Sequence, residues 1–479
     1  MTDRLRRRLS LGVITSLLVA GTLTASLLHA SPAAAPPVPA MPTAVPGALT
    51  SSWYCAGATA RSGGLADGSV VIADTGAAPL AGTVTVVPND GHPASRNVSI
   101  GPWSRGVVHE ADVAPGPFVA ATVVLHGGTA VVEQEVSGPM GTSAVPCASR
   151  PYDRWYFAAG TTSQGASLLV GLFNPFPQDA IADLSFATDA GPAAPAPFQG
   201  MYVPAGQLLM VDIGQHVIDQ PVVATTVNVR VGRLIATKLQ IDTRKGHSGT
   251  TLVLGAPRTL PRWYFPDGLV AAGVTETYYL YNPATSDSRV ALDLSLSQGV
   301  AEPIVTDVPA GSVVAVTANG QPRIPPGDPH AVVVRALAGP PVVAERVVTA
   351  VAPSPRRGLG ELVGAAGPAR HWVLASGSTG SSVDEWLVVM NPGAAPAEVS
   401  VSALADGQLL PVDGLQGVVV PPDGRASFRL GDHVQRPDLA LTVDASGEVV
   451  VERDVYQVNG PGLALAAAVP VAEPPSFGG

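Results

Sequence analysis

Short apolar stretches recur along the whole chain, and turns rich in glycine and proline separate them. Many of the stretches alternate apolar and polar residues, which is the period of a strand with one buried face. No helix of consequence is predicted after the N-terminal segment, so the pattern indicates an all-β protein. Between residues 155 and 242 it predicts seven strands, at Trp155–Ala158, Leu168–Phe173, Ile181–Ala187, Gly200–Val203, Gln207–Asp212, Ala224–Val231 and Leu234–Asp242.

The strand pattern belongs to a long repeat with four landmarks. The first landmark is a tryptophan, and the four copies lie 102, 108 and 109 residues apart, at Trp53, Trp155, Trp263 and Trp372. An Asn-Pro pair follows 19 residues later in the last three copies, at Asn174, Asn282 and Asn391, and Asp74 takes this place in the first. A Val-Pro-Ala-Gly turn or a variant of it comes next. A final apolar strand carries Glu345-Arg346 and Glu452-Arg453 in the last two copies.

Seven short strands in about 100 residues is the number expected of an immunoglobulin-like β-sandwich. The prediction is therefore four tandem sandwich modules, at residues 51–148, 149–257, 258–366 and 367–472, before a disordered tail at 473–479. A four-bladed propeller is the rival architecture, but its blades have four strands in about 40–50 residues. The repeats are twice that size, which favours sandwiches.

The first 50 residues predict export. Arg4 to Arg8 precede an apolar run over residues 9–28, with small residues near Ala30. This arrangement predicts a signal peptide or a signal anchor over residues 1–29, and the two alternatives stay open. In both, the arginines stay in the cytoplasm and the rest of the chain is outside. The linker at residues 30–50 holds six prolines, which favour an extended spacer.

Charge argues against nucleic acid as a partner. The net charge is −10, only 13% of the residues are charged, and the positive charge of the N-terminal arginines stands against an acidic remainder. A chain without a basic stripe has no electrostatic footprint for DNA, RNA or a broad anionic membrane surface. We therefore expect membrane contact only through the N-terminal helix. The expected location is extracytoplasmic, either secreted or anchored by residues 9–28.

The landmarks in this order, Trp-Tyr-Phe-Ala-x-Gly, Leu-x-Asn-Pro, Val-Pro-Ala-Gly and Val-x-Glu-Arg, resemble the repeat of exported bacterial surface proteins. With the export signal and the proline-rich spacer, the chain is similar to an actinobacterial family of secreted proteins of unknown function. The resemblance covers roughly residues 53–470. It brings no catalytic residue with it.

Cys55 and Cys147 bracket the first module, and they are the only two cysteines of the chain. In an exported protein such a pair predicts a disulfide. The alternatives are two free thiols or a redox or metal site. The disulfide would hold together the module whose repeat landmarks are weakest.

The recurring tryptophans and the Glu-Arg pairs each allow two interpretations. The tryptophans are predicted to pack in the core or between modules, and the alternative is a stacking platform for sugars. Trp103 and Trp386 lie outside the repeat register and are the better candidates for exposed contacts. Glu345-Arg346 and Glu452-Arg453 are predicted to form ion pairs at a sheet edge or between modules. Adjacent residues of a strand face opposite ways, so one dipeptide cannot form a paired site on one face.

No catalytic, metal-binding or cofactor-binding motif is recognisable in the sequence, and the nine histidines are scattered. We expect no enzyme activity, no metal and no cofactor. The predicted function is that of a non-catalytic cell-envelope protein, a scaffold or interaction array whose partner is an envelope protein or a wall glycan. The alternatives are a carbohydrate-binding array on wall or capsule glycan, and an accessory enzyme of envelope biogenesis.

Overall fold

The computed structural model describes residues 41–472 with the exceptions of 62, 298 and 459. The predicted export segment, most of the proline-rich linker and the C-terminal tail lie outside the described residues. The described part is all-β, as the sequence predicts, and its only helices are four 3-10 turns, at Glu110–Asp112, Ala196–Phe198, Ile213–Gln215 and Leu430–Asp432. No described helix is long and apolar enough to cross a membrane.

The strands form four successive groups, which we call units 1 to 4. Unit 1 has the strands Ser51–Ala60 (β1), Asp67–Asp74 (β2), Leu80–Pro88 (β3), Ala94–Ile100 (β4), Ser104–His109 (β5), Gly116–Leu125 (β6), Ala130–Gly138 (β7) and Gly141–Pro146 (β8). Unit 2 has Arg154–Phe157 (β9), Ala166–Asn174 (β10), Ala180–Thr188 (β11), Gly191–Ala193 (β12), Met201–Val203 (β13), Gln207–Asp212 (β14), Val223–Val231 (β15), Ile235–Asp242 (β16) and Gly249–Leu254 (β17).

Units 3 and 4 continue the same order. Unit 3 has Arg262–Phe265 (β18), Val274–Asn282 (β19), Ser288–Leu296 (β20), Gly299–Val308 (β21), Ser312–Thr317 (β22), His330–Ala338 (β23), Val343–Ala350 (β24) and Gly358–Val363 (β25). Unit 4 has Ala369–Leu374 (β26), Val383–Asn391 (β27), Ala397–Ala405 (β28), Gln408–Pro411 (β29), Val418–Val420 (β30), Gly424–Arg429 (β31), Leu441–Gln457 (β32), Leu463–Ala467 (β33) and Val469–Pro470 (β34).

Each unit is a sandwich-like pair of antiparallel sheets. In unit 3 the outer sheet has the order β18-β23-β20-β21 and the inner sheet the order β22-β19-β24-β25. Unit 2 also has two separate sheets, whereas the two sheets are joined in unit 1 by a parallel bridge between β1 and β2 and in unit 4 by the long strand β32, which pairs in both. The last strand of each inner sheet was not predicted from the sequence pattern. In unit 2 this strand is β17. This strand follows a polar turn and looks like a linker in the sequence. It forms because it pairs with β16 and contacts the last strands of other units.

The inner sheets are most deeply buried at their central strands, whereas most residues of the edge strands β5, β14, β22 and β31 are partly exposed or exposed. All eight residues of β16 are buried, whereas β11 in the outer sheet alternates between buried and partly exposed positions. The reason lies in the contacts among the last strands: β8 contacts β17, β17 contacts β25, β25 contacts β33, and β33 contacts β8. The four units therefore form a closed cycle, in which unit 4 packs against unit 1.

The Val-Pro-Ala-Gly landmark is the turn between β13 and β14 in unit 2 and between β21 and β22 in unit 3. Gly206 and Gly311 end the two full copies with φ angles of 68° and 65°, a left-handed conformation that glycine adopts without strain. In unit 4 the turn has a different sequence, and Asp423 takes the positive φ angle instead. Aspartate tolerates this conformation better than most residues.

Candidate functional site

The candidate site is the set of buried contacts where one unit meets the next, which we call junctions 1/2, 2/3, 3/4 and 4/1. They are built from the loop that follows the tryptophan strand of one unit and from the penultimate strand of its neighbour. That penultimate strand carries a recurring dipeptide, Glu133-Gln134, Thr237-Lys238, Glu345-Arg346 or Glu452-Arg453. Because neighbouring side chains of a strand face opposite ways, the last three dipeptides each reach two different units.

Junction 2/3 holds a lysine between two glutamates. Lys238 Nζ lies 2.5 Å from Glu345 Oε1 and 2.9 Å from Glu361 Oε2, and all three side chains are at most 3% exposed. The second oxygen of Glu345 accepts hydrogen bonds from the backbone N–H groups of Ala158 and Ala159, both at 2.9 Å. Burial alone lowers the pKa of Lys238, but the two carboxylates outweigh it and raise that pKa above its usual value.

Junction 3/4 repeats this arrangement with an arginine and more carboxyl groups. Arg346 pairs with Glu452, and Glu452 accepts from the backbone N–H of Asp267 at 3.4 Å. Burial, together with the nearby Glu452 and Asp267 carboxyls, raises the pKa of Asp454 well above its usual value. The cavity beside this cluster has a volume of about 20 Å³, which is room for one water molecule.

Junction 4/1 connects the two ends of the described chain. Arg453 Nη2 lies 3.0 Å from Glu133 Oε2, with side chains 1% and 0% exposed. Glu133 also accepts from the backbone N–H groups of Ala375 and Ser376, at 3.1 and 3.2 Å. Arg105 donates to the carbonyl oxygen of Gly377 at 3.0 Å. The first and last units are thus joined by buried charge-assisted contacts.

Junction 1/2 has no ion pair in the dipeptide positions. Thr237 stands where a glutamate is found in the other units, and its hydroxyl donates to the Ala56 carbonyl oxygen at 3.0 Å. Gln134 stands where the other units have a lysine or an arginine. Its side chain donates to Glu110 of its own unit at 2.9 Å. Burial raises the pKa of Glu110 to about 8. The acid and the base are therefore lost together at the same junction.

A glutamate occupies the same position at junctions 3/4 and 4/1, as Glu276 and Glu385, but the residues around it differ. Glu276 lies 3.2 Å from the His330 ring, and although burial alone raises the pKa of Glu276, His330 and Arg346 outweigh it and lower that pKa. Near Glu385 the equivalent of His330 is Leu439. The backbone N–H of His330 donates to the Gly268 carbonyl oxygen, and that of Leu439 donates in the same way to Gly377. Burial then raises the pKa of Glu385 to about 7, with Arg453 opposing the shift.

The remaining landmark residues are used for packing. The four tryptophans are at most 1% exposed, and the indole N–H groups of Trp155, Trp263 and Trp372 donate to Leu234, Val342 and Val449 carbonyl oxygens at 2.8–3.0 Å. Their rings are not accessible to a sugar. Trp103 and Trp386 are partly buried, and the guanidinium of Arg356 lies 5.4 Å from the Trp386 ring.

The recurring asparagines brace the turn after the second strand. Each donates from Nδ2 to the backbone carbonyl four residues later at 2.8 Å, and each side-chain oxygen accepts from the backbone N–H two residues later; these are Asn174, Asn282 and Asn391. In unit 1 Asp74 accepts from Gly76 N–H and from the Thr129 hydroxyl instead. The pattern is structural in all four units.

The disulfide prediction is confirmed. Cys55 in β1 and Cys147 directly after β8 are bonded, with 4.7 Å between their Cα atoms and a sequence separation of 92. Both residues are buried. Within the described ranges there is no group of three or more His, Cys, Asp or Glu residues that could hold a metal ion.

Sequence reasoning missed most of the junction residues. It singled out Glu345, Arg346, Glu452 and Arg453 but not their partners in the neighbouring units. Those partners are Glu133, Lys238 and Asp454, and Glu276 and Glu361 of unit 3 belong to the same clusters. The sequence does contain a signal for some of them. The second residue of one repeat's dipeptide is basic where the first residue of the next repeat's dipeptide is a glutamate. At the one place where the second residue is not basic, Gln134, the next repeat has Thr237 instead of a glutamate.

Fold and junctions together define an all-β protein of four sandwich-like units in a closed cycle. Residues 107–356, just over half of the chain, match a family of unknown function (DUF5719), and the chain belongs to this family. The match begins within β5 of unit 1 and ends after β24 of unit 3. No curated protein matches the chain.

Among solved structures the similarities are low. A Thermotoga maritima protein described as 1070 is 17% identical over 22% of this chain and 94% of its own, with a TM-score of 0.19. A tetra-tandem repeat in the extending region of a large adhesion protein is 13% identical over 86% of this chain and 99% of its own, with a TM-score of 0.12. A Streptomyces avermitilis α-L-rhamnosidase is 10% identical over 88% and 56%, with a TM-score of 0.12. None of these bears on function.

Proposed function

We propose that this protein is a non-catalytic, exported cell-envelope protein that presents a rigid surface to an envelope partner. The observation that carries the proposal is the use of the recurring polar residues. They hold the units together or brace turns, as Glu345 does for Ala158 and Ala159 and as Asn282 does for its own turn. A chain whose repeated polar residues serve rigidity is suited to scaffolding.

Two further observations support the proposed location and character. A disulfide persists in oxidising compartments and is rare in the cytosol, so the Cys55–Cys147 bond favours export. The cluster of buried carboxyl groups at junction 3/4 leaves space for about one water molecule beside it. That cluster therefore favours a structural role over an enzymatic one. The immunoglobulin-like character of the modules and the membrane or wall attachment stay predictions.

The partner-binding surface that we favour is the outer edge of the units. In each outer sheet the strand before the Val-Pro-Ala-Gly turn, or before its equivalent, pairs with only one other strand and lies at a sheet edge. These edge strands are β4, β13, β21 and β30. Three of these edge strands carry exposed apolar side chains, Tyr202, Val300 and Val419, which are 57%, 70% and 57% exposed. An open strand edge with apolar side chains can pair with an extended segment of another protein. This favours an envelope protein as the partner.

Crosslinking in intact cells tests the proposal. A photoreactive amino acid at Tyr202 or Val419 should capture one defined envelope protein, whereas the same probe at Thr83, on the outer sheet of unit 1, serves as the matched control. Capture of the same protein from both edge positions supports the scaffold. The absence of an edge-specific product, or recovery of the chain in the cytosol, contradicts it.

A further inference from the structure

Junctions 3/4 and 4/1 have equivalent positions that are filled differently. At junction 3/4, Tyr456 in β32 lies opposite Leu463 in β33, and both side chains are buried. At junction 4/1 the equivalent strands are β7 and β8, where Ser137 lies opposite Thr142. Two residue pairs further in, Leu465 opposite Asp454 corresponds to Ala144 opposite Glu135. Large side chains at one junction are thus replaced by small ones at the other.

The replacement opens a cleft between units 1 and 4. Its volume is about 310 Å³, compared with about 20 Å³ for the cavity at the equivalent place of junction 3/4. Small-molecule sites in proteins begin at about 300 Å³. The cleft therefore has the size of a site for a small ligand, and its equivalent does not.

Two arginines line the cleft with donors that lack a protein partner. Arg453 is 1% exposed, and its two terminal nitrogens pair with Glu133 and the Ser376 carbonyl oxygen, but its Nε–H has no hydrogen-bond partner among the described residues. Arg105 is 12% exposed at its side chain and contacts Asp438 at 3.2 Å, and its Nε–H likewise has none. A buried donor without a partner costs free energy. Both Nε–H groups are shielded from solvent, so each needs a small shift of its side chain to meet a ligand oxygen in the cleft, and that contact recovers the cost.

The charges of the cleft favour a neutral ligand. Each arginine is already paired with a carboxylate, and Glu135 adds an acceptor to the lining. The hydroxyls of Ser137 and Thr142 line the same cleft, and a hydroxyl both donates and accepts. A lining that mixes donors and acceptors without excess positive charge suits a ligand with many hydroxyl groups. An anion would meet carboxylates, and a cation would meet arginines.

We propose that the cleft at junction 4/1 binds one or two rings of a neutral saccharide. Recognition is by hydrogen bonds from Arg105 and Arg453 and to Glu135, with no stacking on the recurring tryptophans, because those are buried. The inference relies on the proposed envelope location for the source of its ligand but not for the chemistry of the site.

Calorimetric titration of the purified full-length protein tests the site. The probes are methyl glycosides of glucose, galactose, mannose and arabinose, oligosaccharides released from isolated cell wall, and sodium acetate and methylammonium as charged comparators. At least one neutral glycoside or oligosaccharide should bind saturably, with the charged compounds at least tenfold weaker. Tighter binding of the oligosaccharides identifies wall glycan as the source, and equal affinity identifies free sugar. Binding of no neutral probe, or preference for a charged one, overturns the proposal.

Two variants and a control locate any binding. Ser137→Tyr with Thr142→Leu copies the residues of junction 3/4 and should fill the cleft, weakening binding at least tenfold. Thr142→Val keeps the shape and removes one hydroxyl, and we expect a loss of about three- to tenfold. Thr83→Leu, the same kind of change on the outer sheet of unit 1, should bind like the wild type. Unchanged binding in both cleft variants overturns the proposal. Failure of this test leaves the crosslinking test of the scaffold unaffected.

Discussion

Arg453 and Glu133 are 320 residues apart in the chain, yet their side chains form an ion pair at 3.0 Å that is almost completely shielded from solvent. Arg453 belongs to unit 4 and Glu133 to unit 1. The pair therefore joins the last unit to the first. Equivalent ion pairs join units 2 and 3, through Lys238–Glu345, and units 3 and 4, through Arg346–Glu452. A buried pair of this kind is a poor source of net stability, but it penalises any arrangement that leaves one charge alone.

Removing the base at junction 2/3 should strongly destabilise the protein. Lys238→Met leaves Glu345 and Glu361 buried without a cation, and we expect a loss of about 3–5 kcal/mol in the free energy of unfolding. Lys245→Met is the matched control, because Lys245 is exposed and its replacement should change stability by less than about 0.5 kcal/mol. Denaturant unfolding measures both. Equal effects of the two changes would show that the junction charges are not buried as described.

Reduction of the disulfide should destabilise unit 1. The bond closes a loop of 92 residues, for which the chain-entropy model predicts about 4–5 kcal/mol. Cys55→Ala with Cys147→Ala should therefore lower the denaturant midpoint, and reductant should lower the wild-type midpoint by the same amount. Reductant should have no effect on the double variant. A wild type that is indifferent to reductant would mean that the bond does not form.

Stability should decrease with pH because of Glu385. Its pKa is about 7 in the folded protein and near 4.5 in the unfolded chain, so its contribution is fully present below about pH 4.5 and is lost as the pH rises to about 7. The loss is about 3 kcal/mol at most, since one pKa unit corresponds to about 1.4 kcal/mol. Glu385→Gln should reduce the slope between pH 4.5 and 7 by this amount and leave the part that Glu110 contributes, whereas Glu448→Gln, at an exposed position of β32, should leave the whole slope unchanged. Parallel pH profiles for both variants would refute the assignment.

The first tryptophan should tolerate loss of its N–H better than the second. Trp53 Nε1 is buried and has no hydrogen-bond partner among the described residues, whereas Trp155 Nε1 donates to Leu234 at 2.9 Å. Changing each to Phe removes a similar apolar area, so the difference reports the hydrogen bond. We expect Trp155→Phe to cost about 1 kcal/mol more than Trp53→Phe in denaturant unfolding. The reverse order would contradict the described packing.

The all-β class and the existence of the repeat could be predicted because both rest on local signals. Period-2 alternation locates β11, and the Asn-Pro turns mark strand ends in the last three repeats, as Val-Pro-Ala-Gly does in the second and third. The pairing of Cys55 with Cys147 could be predicted because they are the only two cysteines in a chain whose sequence predicts export. These signals need no knowledge of which surfaces meet.

The closed cycle and the cleft could not be predicted in the same way. Burial of Lys238, Arg346 and Arg453 depends on contacts between units, and a strand pattern does not say which unit lies against which. β17 was missed for the same reason, because its apolar residues pack against β8 and β25 in other units. The cleft becomes visible only when Ser137 and Tyr456 are placed at equivalent positions of two junctions.

A double-mutant cycle on Glu133 and Arg453 tests the closure of unit 4 onto unit 1 most directly. Glu133→Gln and Arg453→Met should each cost about 3–5 kcal/mol in unfolding free energy, because each leaves the other charge buried without its partner. In the double variant neither charge remains, so its loss should be several kcal/mol smaller than the sum of the two single losses. Additivity within about 0.5 kcal/mol would show that the two residues do not interact and would contradict the closed arrangement.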